Sequence, residues 1–448
     1  MKKKISVFMA SLIALGCIGM AGCNNTGDGG SGEPYVPQNL FPTYADDKVM
    51  MIGGWDAPIN TLEDYQFAKD MGLTAMFIDE VFVTRGSQEY FDVLGYCEEV
   101  GLEAILTLGN AATSELAKDS WAADKTDYSQ YPAVKAINYW DEPHRQNLDR
   151  IAQLVGEHVA KYGNKIDVYV NHYPNTSTHA FGGLSYFDFL KEYSEKVLLQ
   201  LDEDHRWLSA DIYPLLNTNG STLRATWLSG IEALAVNAKN YNAHSHFFIQ
   251  STEHWNYRRV SEEDIRWQFF VNMAFGIEAF TYFTYRDSQL DDFSNSCVSS
   301  VKSCVAHDEY YWAQTVNREI AAFDNVYLSF DWNGTMPIIG TKNEGGTNSN
   351  YGGLKHSLTE VECLKSATAT QDALIGQFKD KDGNDGLIVT NFNDPYYGLK
   401  NKVTLEFKNA DRVRVYNRGE YKDYMVLDNK FEFTLGVGDG AFLIPMAD

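Results

Sequence analysis

A short segment in the first third of the chain, residues 136–143, carries residues well suited to acid–base chemistry. It reads Ala-Ile-Asn-Tyr-Trp-Asp-Glu-Pro, an apolar and aromatic run that stops at Pro143 and leaves Asp141 and Glu142 at its end. We interpret the run as a β-strand. A carboxyl group at the end of an inward-facing strand, beside an indole that excludes water, can act as a general acid near neutral pH, because burial raises its pKa.

The same Asp-Glu-Pro sequence also has a purely structural interpretation. It is a common way to leave a strand and begin a helix, with proline at the first helical position and an acid near the positive end of the helix dipole. The choice between the two interpretations depends on the elements that position residues 141–143.

The amino end of the chain has the features of an export signal. Several lysines precede an apolar run, residues 5–19, that is too short for a permanent membrane-spanning helix. The next residues, Met-Ala-Gly-Cys23, resemble the lipobox of bacterial lipoproteins. That resemblance implies a signal peptide over residues 1–22 and a lipid on Cys23, followed by a flexible Gly-rich tether over residues 23–40. We therefore expect an exported protein that is lipid-anchored to the bacterial cell envelope.

The charge balance restricts the class of partner. The chain has 37 Lys and Arg against 61 Asp and Glu, a net charge of −24; without the three signal-peptide lysines the balance is 34 against 61, or −27. Nucleic acid is excluded as a partner because its phosphates require a positive surface. No Cys-x-x-Cys or His-x-x-x-His pair occurs, so we expect no metal and no other cofactor. The sequence does not indicate an oligomeric state.

Two cysteines lie close together in a polar stretch of the chain, at Cys297 and Cys304. Exported proteins fold in an oxidising environment, which favours disulfides. We therefore expect a loop disulfide between these two residues.

A repeating unit organises residues 45–326. Gly72, Gly101 and Gly276 each follow an amphipathic helical stretch and open an apolar run, so each marks a helix end followed by a strand. Eight such units predict an α/β fold, a (β/α)₈ TIM barrel over residues 41–335, with a two-lobed solute-binding lipoprotein as the main alternative. The predicted strands are residues 49–54, 74–79, 103–108, 135–140, 166–171, 208–213, 246–251 and 278–284.

The pattern changes in the last quarter of the chain. Short apolar runs separated by turn residues predict a small C-terminal β-sandwich over residues 336–448. This all-β segment also counts against the two-lobed alternative. It contains no recognisable catalytic constellation.

In a (β/α)₈ barrel the active site lies at the carboxyl ends of the strands. Carboxylates there can cleave a glycosidic bond, amides and acids can bind hydroxyls, and flat rings can pack on the apolar faces of pyranoses. The strand ends of this chain are rich in all three types of side chain, which predicts a carbohydrate substrate. The residues are Trp55, Asp56, Asp79, Glu80, Asn110, Trp140, Asp141, Glu142, Asn171, His172, Tyr173, Asp211, Tyr213, Glu253, His254, Trp255, Tyr282 and Tyr285.

Two segments resemble the retaining glycoside hydrolases of clan A, which are barrels with an acid/base Glu after strand 4 and a nucleophilic Glu after strand 7. Residues 140–143, Trp-Asp-Glu-Pro, occupy the first position, and residues 250–253, Gln-Ser-Thr-Glu, occupy the second. The resemblance implies that Glu142 protonates the leaving oxygen while Glu253 attacks the anomeric carbon. The clan usually has Asn before its acid/base Glu, where this chain has Asp141.

The departure at Asp141 supports a second interpretation. An adjacent Asp-Glu pair is similar to that of hexosaminidases that work by substrate assistance. That resemblance implies that Asp141 orients the acetamido group of the substrate, Glu142 is the acid, and Tyr213 or Tyr282 holds the acetamido oxygen, while Glu253 only binds sugar. A surface glycan-binding lipoprotein without turnover would use the same aromatic residues, since a fold alone does not establish activity.

Overall fold

The computed structural model describes residues 41–79, 83–107, 124–218, 222–288, 292–299 and 304–447. The predicted signal peptide, the tether with Cys23, and the strand-end residues Glu80 and Asn110 lie outside these ranges. Among the helices in the described ranges, none is long and apolar enough to cross a membrane.

Eight parallel strands close into a barrel in which each strand pairs with its neighbours in sequence. The closure is made by the first and last strands, whose register runs from Met51 opposite Ala279 to Gly54 opposite Tyr282. All eight predicted apolar runs correspond to these strands, so the predicted TIM barrel is confirmed. The strands are β1 Met51–Gly54, β2 Ala75–Asp79, β3 Glu103–Thr107, β4 Val134–Asp141, β5 Asp167–His172, β6 Trp207–Ala210, β7 His244–Gln250 and β8 Ala279–Phe283.

Helices pack around the outside of the barrel. Glycine ends three of the strand-to-strand units as predicted: Gly72, Gly101 and Gly276 have φ angles of 93°, 73° and 76°, and the next strand begins within three residues of each. A left-handed backbone is accessible to glycine because it lacks a Cβ atom. The helices in the described ranges are α1 Leu62–Asp70, α2 Gln88–Val100, α3 Leu148–Tyr162, α4 Tyr186–Lys196, α5 Trp227–Asn240, α6 Glu262–Ala274, α7 Asp308–Ala321 and the short α8 Asp324–Tyr327.

Strand β4 contains a β-bulge that changes the direction of its last side chains. Its register on β5 shifts between Asn138 and Trp140. As a result Tyr139 and Trp140 both pack in the core between the barrel and the helices, and Asp141 bonds to Asn171 at the barrel mouth. Simple alternation would point Trp140 inward and Asp141 outward, so the bulge is what brings the carboxylate to the mouth.

Two antiparallel sheets follow the barrel, which confirms the predicted β-sandwich; the first strand begins at Phe330, slightly before the expected boundary. The strands are β9 Phe330–Ile338, β10 Leu364–Ala369, β11 Ala373–Asp380, β12 Asp385–Asn391, β13 Asn401–Phe407, β14 Arg412–Asn417, β15 Glu420–Met425, β16 Lys430–Leu435 and β17 Gly440–Met446. One sheet has the order β9-β11-β12-β17-β14-β15, and the other has the order β10-β13-β16. An apolar core lies between the two sheets.

Helix α6 joins the barrel to the six-stranded sheet. A Cβ atom on Gly376 of the sheet would lie 2.2 Å from the backbone oxygen of Ala274, so only glycine permits this approach. Next to it, Trp267 of the helix stacks on Phe392, with ring centroids 5.8 Å apart. The barrel and this face of the sheet therefore share one continuous apolar core.

The predicted disulfide between Cys297 and Cys304 is wrong, since both residues are free thiols. The backbone oxygen of Cys297 accepts from the N–H of His307, so the chain pairs Cys297 with a residue beyond Cys304. Cys297 is fully buried, whereas Cys304 is half-buried and its N–H donates to Asp64.

Candidate active site

Acidic side chains from four barrel strands meet at the carboxyl ends of those strands. Their charges interact: Asp79 raises the pKa of both Asp56 and Asp141, and Asp141 raises the pKa of both Glu142 and Asp211. The group combines a residue just after β1, the last residue of β2, the end of β4 and the residue after β6. The mouth of the barrel is therefore an acidic cluster, as the strand-end pattern predicts.

Asn171, near the end of β5, bonds to two of these carboxylates and to the backbone of a third acidic residue. Its Nδ2 donates to Oδ1 of Asp141 and to Oδ1 of Asp211, each over 3.1 Å. The two carboxylate oxygens therefore lie at most 6.2 Å apart, twice that distance. With the two amide hydrogens at their usual angle, the separation is about 5.4 Å. The backbone oxygen of Asn171 also accepts from the N–H of Glu142 over 2.9 Å.

A buried hydrogen-bond network inside the barrel fixes the orientation of the Asn171 amide. Ser209 Oγ donates to Asn171 Oδ1 over 3.0 Å. The same hydroxyl lies 2.6 Å from the Tyr169 hydroxyl and 2.8 Å from His246 Nδ1, while His246 Nε2 lies 2.8 Å from Thr281 Oγ1. Burial lowers the pKa of His246 to about 3, so its ring is neutral. The amide oxygen thus faces the barrel interior and the amide nitrogen faces the acids.

Burial and mutual repulsion raise the pKa values of the cluster. Burial raises the pKa of Asp56 to about 7 and that of Asp141 to about 6. Burial also raises the pKa of Glu142 and of Asp211, and the charge of each neighbouring carboxylate adds to the effect. Asp211 receives the N–H of Asn171, which favours its ionised form. Burial and the charges of Glu142 and Asp141 outweigh this hydrogen bond, so the pKa of Asp211 stays well above its usual range.

A row of aromatic rings leads from the acidic cluster to the surface. Tyr213 stacks on Phe283, with centroids 5.2 Å apart, and contacts His254 at 5.7 Å. His254 in turn stacks on Phe293 at 4.9 Å, and Phe293 contacts Trp255 at 5.5 Å. The Trp255 side chain is 71% exposed. An exposed ring at the end of such a row offers a flat apolar face to a pyranose.

Some residues at the mouth were not expected from the sequence. Arg286, three residues after β8, is buried, and its charge lowers the pKa of Asp56. The predicted strand-end residue Tyr173 forms a triangle with His144 and His179, with ring centroids 5.4 to 5.6 Å apart. The sequence signal for Arg286 is a single arginine three residues after a strand end, whereas nothing local predicts that His179 approaches the site.

Glu253 is not on the barrel itself. Strand β7 ends at Gln250, and Glu253 begins a two-residue strand that pairs with Phe293 and Ser294. Its Oε2 accepts from Asn295 Nδ2 over 2.9 Å. The carboxylates whose charges act on Glu142 and Asp211 belong to those two residues and to Asp141. The nucleophilic role of Glu253 stays a prediction.

Four predicted sugar contacts point away from the mouth and are wrong. Trp140, His172, Tyr282 and Tyr285 are at most 2% exposed. His172 packs on Tyr193 of α4, with centroids 4.2 Å apart, and the Tyr282 hydroxyl donates to a side chain of α7. For His172 and Tyr282 the reason is that side chains alternate along a strand, and for Trp140 the reason is the bulge in β4.

The remaining predicted strand-end residues differ in depth. Asp79, Asn171, Asp211 and Tyr213 lie together at the mouth, each with a charge interaction or hydrogen bond to another member of the group. Trp55 lies deeper, inside the barrel, where it contacts Phe77 and Phe248 at 5.0 and 5.7 Å.

The sequence matches no protein-family model and no curated protein. Its fold resembles solved glycoside hydrolases. A protein proposed to be an α-galactosidase, from Bacteroides fragilis, has a TM-score of 0.50 and 11% identity, over 89% of this chain and 80% of that chain. A β-L-arabinopyranosidase of family GH27 and a catalytic mutant of a GH42 β-galactosidase, both from Geobacillus stearothermophilus, have TM-scores of 0.47. They are 9% and 10% identical, over 90% of this chain and 97% and 99% of theirs. Such low identities show a shared fold alone.

Proposed function

We propose that this protein is a glycoside hydrolase that cleaves an oligo- or polysaccharide at the mouth of the barrel. The observation that carries the proposal is that Asp141 and Asp211 both accept from the side-chain amide of Asn171, while the backbone N–H of Glu142 bonds to the backbone oxygen of the same residue. Hydrolysis of a glycosidic bond requires two carboxyl groups that differ in protonation. The structural neighbour with a TM-score of 0.50, named as a galactosidase, belongs to the same class.

In the proposed reaction Glu142 is the general acid, as the sequence predicts. It gives its proton to the glycosidic oxygen, and the bond between that oxygen and the anomeric carbon breaks. Asp211 in its ionised form, held in place by Asn171, attacks the anomeric carbon and forms a glycosyl ester. Glu142, now a carboxylate, removes a proton from the water that hydrolyses the ester, and the configuration is retained.

Asp211 replaces Glu253 as the favoured nucleophile for an electrostatic reason. The charge of Glu142 acts directly on Asp211, so the two carboxyl groups share one site, and a proton on one favours the charge on the other. Glu253 instead bonds to Asn295 beside the mouth, where it is suited to binding a sugar hydroxyl.

Substrate assistance is a second candidate, favoured by the bulge in β4. The bulge turns Asp141 toward the mouth beside Glu142, with Asn171 donating to its carboxylate. In that reaction Asp141 orients the acetamido group, which attacks the anomeric carbon of its own sugar. Tyr213 is the candidate for holding the acetamido oxygen, because Tyr282 faces the helices.

We also propose that a lipid on Cys23 anchors the enzyme to the cell envelope. The lipobox-like sequence and the Gly-rich tether support this localisation. A tethered enzyme at the envelope would meet neutral carbohydrate rather than nucleic acid, in agreement with its strongly negative charge.

A panel of aryl glycosides that includes N-acetylated sugars tests the activity. We expect hydrolysis of at least one substrate and its loss in the Glu142→Gln variant on unactivated substrates. Asp211→Ala should be rescued by azide with formation of a glycosyl azide, whereas Glu253→Ala serves as the matched carboxylate variant and should show no such rescue. Rescue of Glu253→Ala alone would restore the clan A assignment.

Other outcomes separate the alternatives. If Asp141→Asn is the damaging change and only N-acetylated substrates react, substrate assistance is the mechanism. If no glycoside is hydrolysed but oligosaccharides bind, the protein is a glycan-binding lipoprotein and the catalytic proposal fails.

A further inference from the structure

The C-terminal domain reaches the loop after β7 through a buried carboxylate. Asp394, just after β12, is 1% exposed, and its Oδ1 accepts from Arg258 Nη2 over 2.9 Å. The same guanidinium is held by Asp264 of α6 in a bidentate contact of 2.6 and 2.7 Å. One arginine is thus shared between the barrel and the C-terminal domain.

Arg258 connects the end of β7 with the loop after β6, next to the row of aromatic rings that ends at Trp255. Its backbone oxygen accepts from the side chain of Gln250, the last residue of β7, over 3.1 Å. Its backbone N–H donates to the oxygen of Leu215, in the loop after β6, over 3.2 Å. Because Trp255 lies three residues before Arg258, the position of the arginine limits where the exposed indole can lie.

The second carboxylate is needed because Asp264 already has other partners. The Asp264 side chain accepts from the N–H of Ser261 over 2.8 Å, which caps helix α6. The Arg258 side chain is only 12% exposed, so water replaces a lost partner poorly, and a charge-assisted hydrogen bond contributes more than a neutral one. Asp394 therefore adds a second charge that holds the guanidinium from the side of the sheet.

We propose that Asp394 is a positioning residue that fixes, through Arg258, the loop presenting Trp255 to the substrate. The C-terminal domain then sets the affinity of the enzyme for its carbohydrate. This inference rests on the proposed glycosidase function only for its kinetic consequence, since the loop position is measurable without a substrate.

The test is Asp394→Asn in the full-length protein. In the wild type, Asp394 Oδ1 accepts from the N–H of Tyr396 over 3.0 Å. Asparagine keeps this oxygen and removes the charge. The matched control is Glu232→Gln. Glu232, on α5, is also a buried carboxylate between the barrel and the C-terminal domain, accepting from the N–H groups of Lys355 and His356 over 2.7 and 2.9 Å.

Hydrogen exchange measures the loop directly. We expect Asp394→Asn to speed exchange in residues 251–261 by roughly tenfold, the effect of replacing a charge-assisted hydrogen bond with a neutral one. Glu232→Gln should leave these amides unchanged. Equal exchange in Asp394→Asn and wild type, or equal acceleration in both variants, overturns the proposal.

The kinetic constants KM and kcat distinguish a change in loop position from a general loss of stability. On an oligosaccharide substrate, Asp394→Asn should raise KM by roughly fivefold or more and change kcat by less than about twofold, because the loop binds sugar without touching the reacting atoms. A loss confined to kcat overturns the proposal.

If wild type hydrolyses no glycoside, the proposed function fails while hydrogen exchange still decides the inference. If Asp394→Asn does not fold, Arg258→Lys tests the same loop, with faster exchange in residues 251–261 expected and unchanged exchange overturning the proposal.

Discussion

Replacing Asn171 with Leu should shift the pH dependence of catalysis. Leucine has a similar shape and size but cannot donate to Asp141 and Asp211, which both accept from Nδ2. The Ser209 hydroxyl loses Asn171 as an acceptor but keeps its contacts with Tyr169 and His246. The substitution therefore removes the two hydrogen bonds to the acids without leaving the network below them unpaired.

The size of the shift follows from the strength of these bonds. A hydrogen bond to a charged group contributes about 1.5 to 3 kcal/mol, and one pKa unit corresponds to about 1.4 kcal/mol. Loss of the donor favours the protonated carboxyl. The pKa of Asp211, already raised by burial, should therefore rise by about one to two further units. The proposed nucleophile must be ionised. The acidic limb of the pH profile of kcat/KM should therefore move to higher pH by about one unit or more.

The assay is kcat/KM for an aryl glycoside between pH 4 and 9 in wild type and variant. Thr107→Val is the control: its Oγ1 accepts from Asn138 over 3.1 Å, so it removes a different buried hydrogen bond at a strand end of the same barrel. The control should lower stability and leave the acidic limb in place. If Asn171→Leu retains activity and the acidic limb of its pH profile does not move, Asp211 and Asp141 are not the acids whose pKa values Asn171 lowers.

Further predictions concern stability, binding and anchoring. Asp56→Asn should stabilise the fold at pH 8 but not at pH 4. Burial raises the pKa of this acid from 3.8 to about 7, so the stability of the wild type falls as the pH rises from the first value to the second. Three pKa units set a ceiling of about 4 kcal/mol in urea unfolding. An equal effect at both pH values would contradict the prediction. Trp255→Ala should weaken oligosaccharide binding in calorimetry by about tenfold with little change in the unfolding midpoint, since the ring is 71% exposed; unchanged affinity would remove it from the site. Cys23→Ala should lose labelling by a fatty-acid probe, and equal labelling would exclude the lipid.

The sequence was sufficient for the barrel because its signals are local. Helix ends at Gly72, Gly101 and Gly276, and the alternation of apolar runs with amphipathic stretches, depend on residues within one repeating unit. Eight repeats leave few ways to bury the strands, so the closed barrel and the strand-end location of the acids follow from the pattern. Asp141, Glu142 and Asp211 were identified as strand-end acids for this reason.

The direction of each strand-end side chain was a tertiary outcome. Sequence position alone does not distinguish Asn171, which faces the mouth, from its neighbour His172, which faces α4. A bulge adds one residue and reverses the alternation after it. In β4 the bulge sent Trp140 into the core and Asp141 to the mouth, because the register of a strand is fixed by the packing of both its faces and not by its own residues.

Contacts between distant segments were also decided by the fold. Asp394 lies 136 residues after Arg258, and Arg286 reaches Asp56 only because β8 closes on β1. The sequence determined which side chains are present at the ends of its strands. The tertiary structure decided which carboxylates share one amide, because charge interactions and hydrogen bonds act over a few ångströms in space, whatever the distance along the chain.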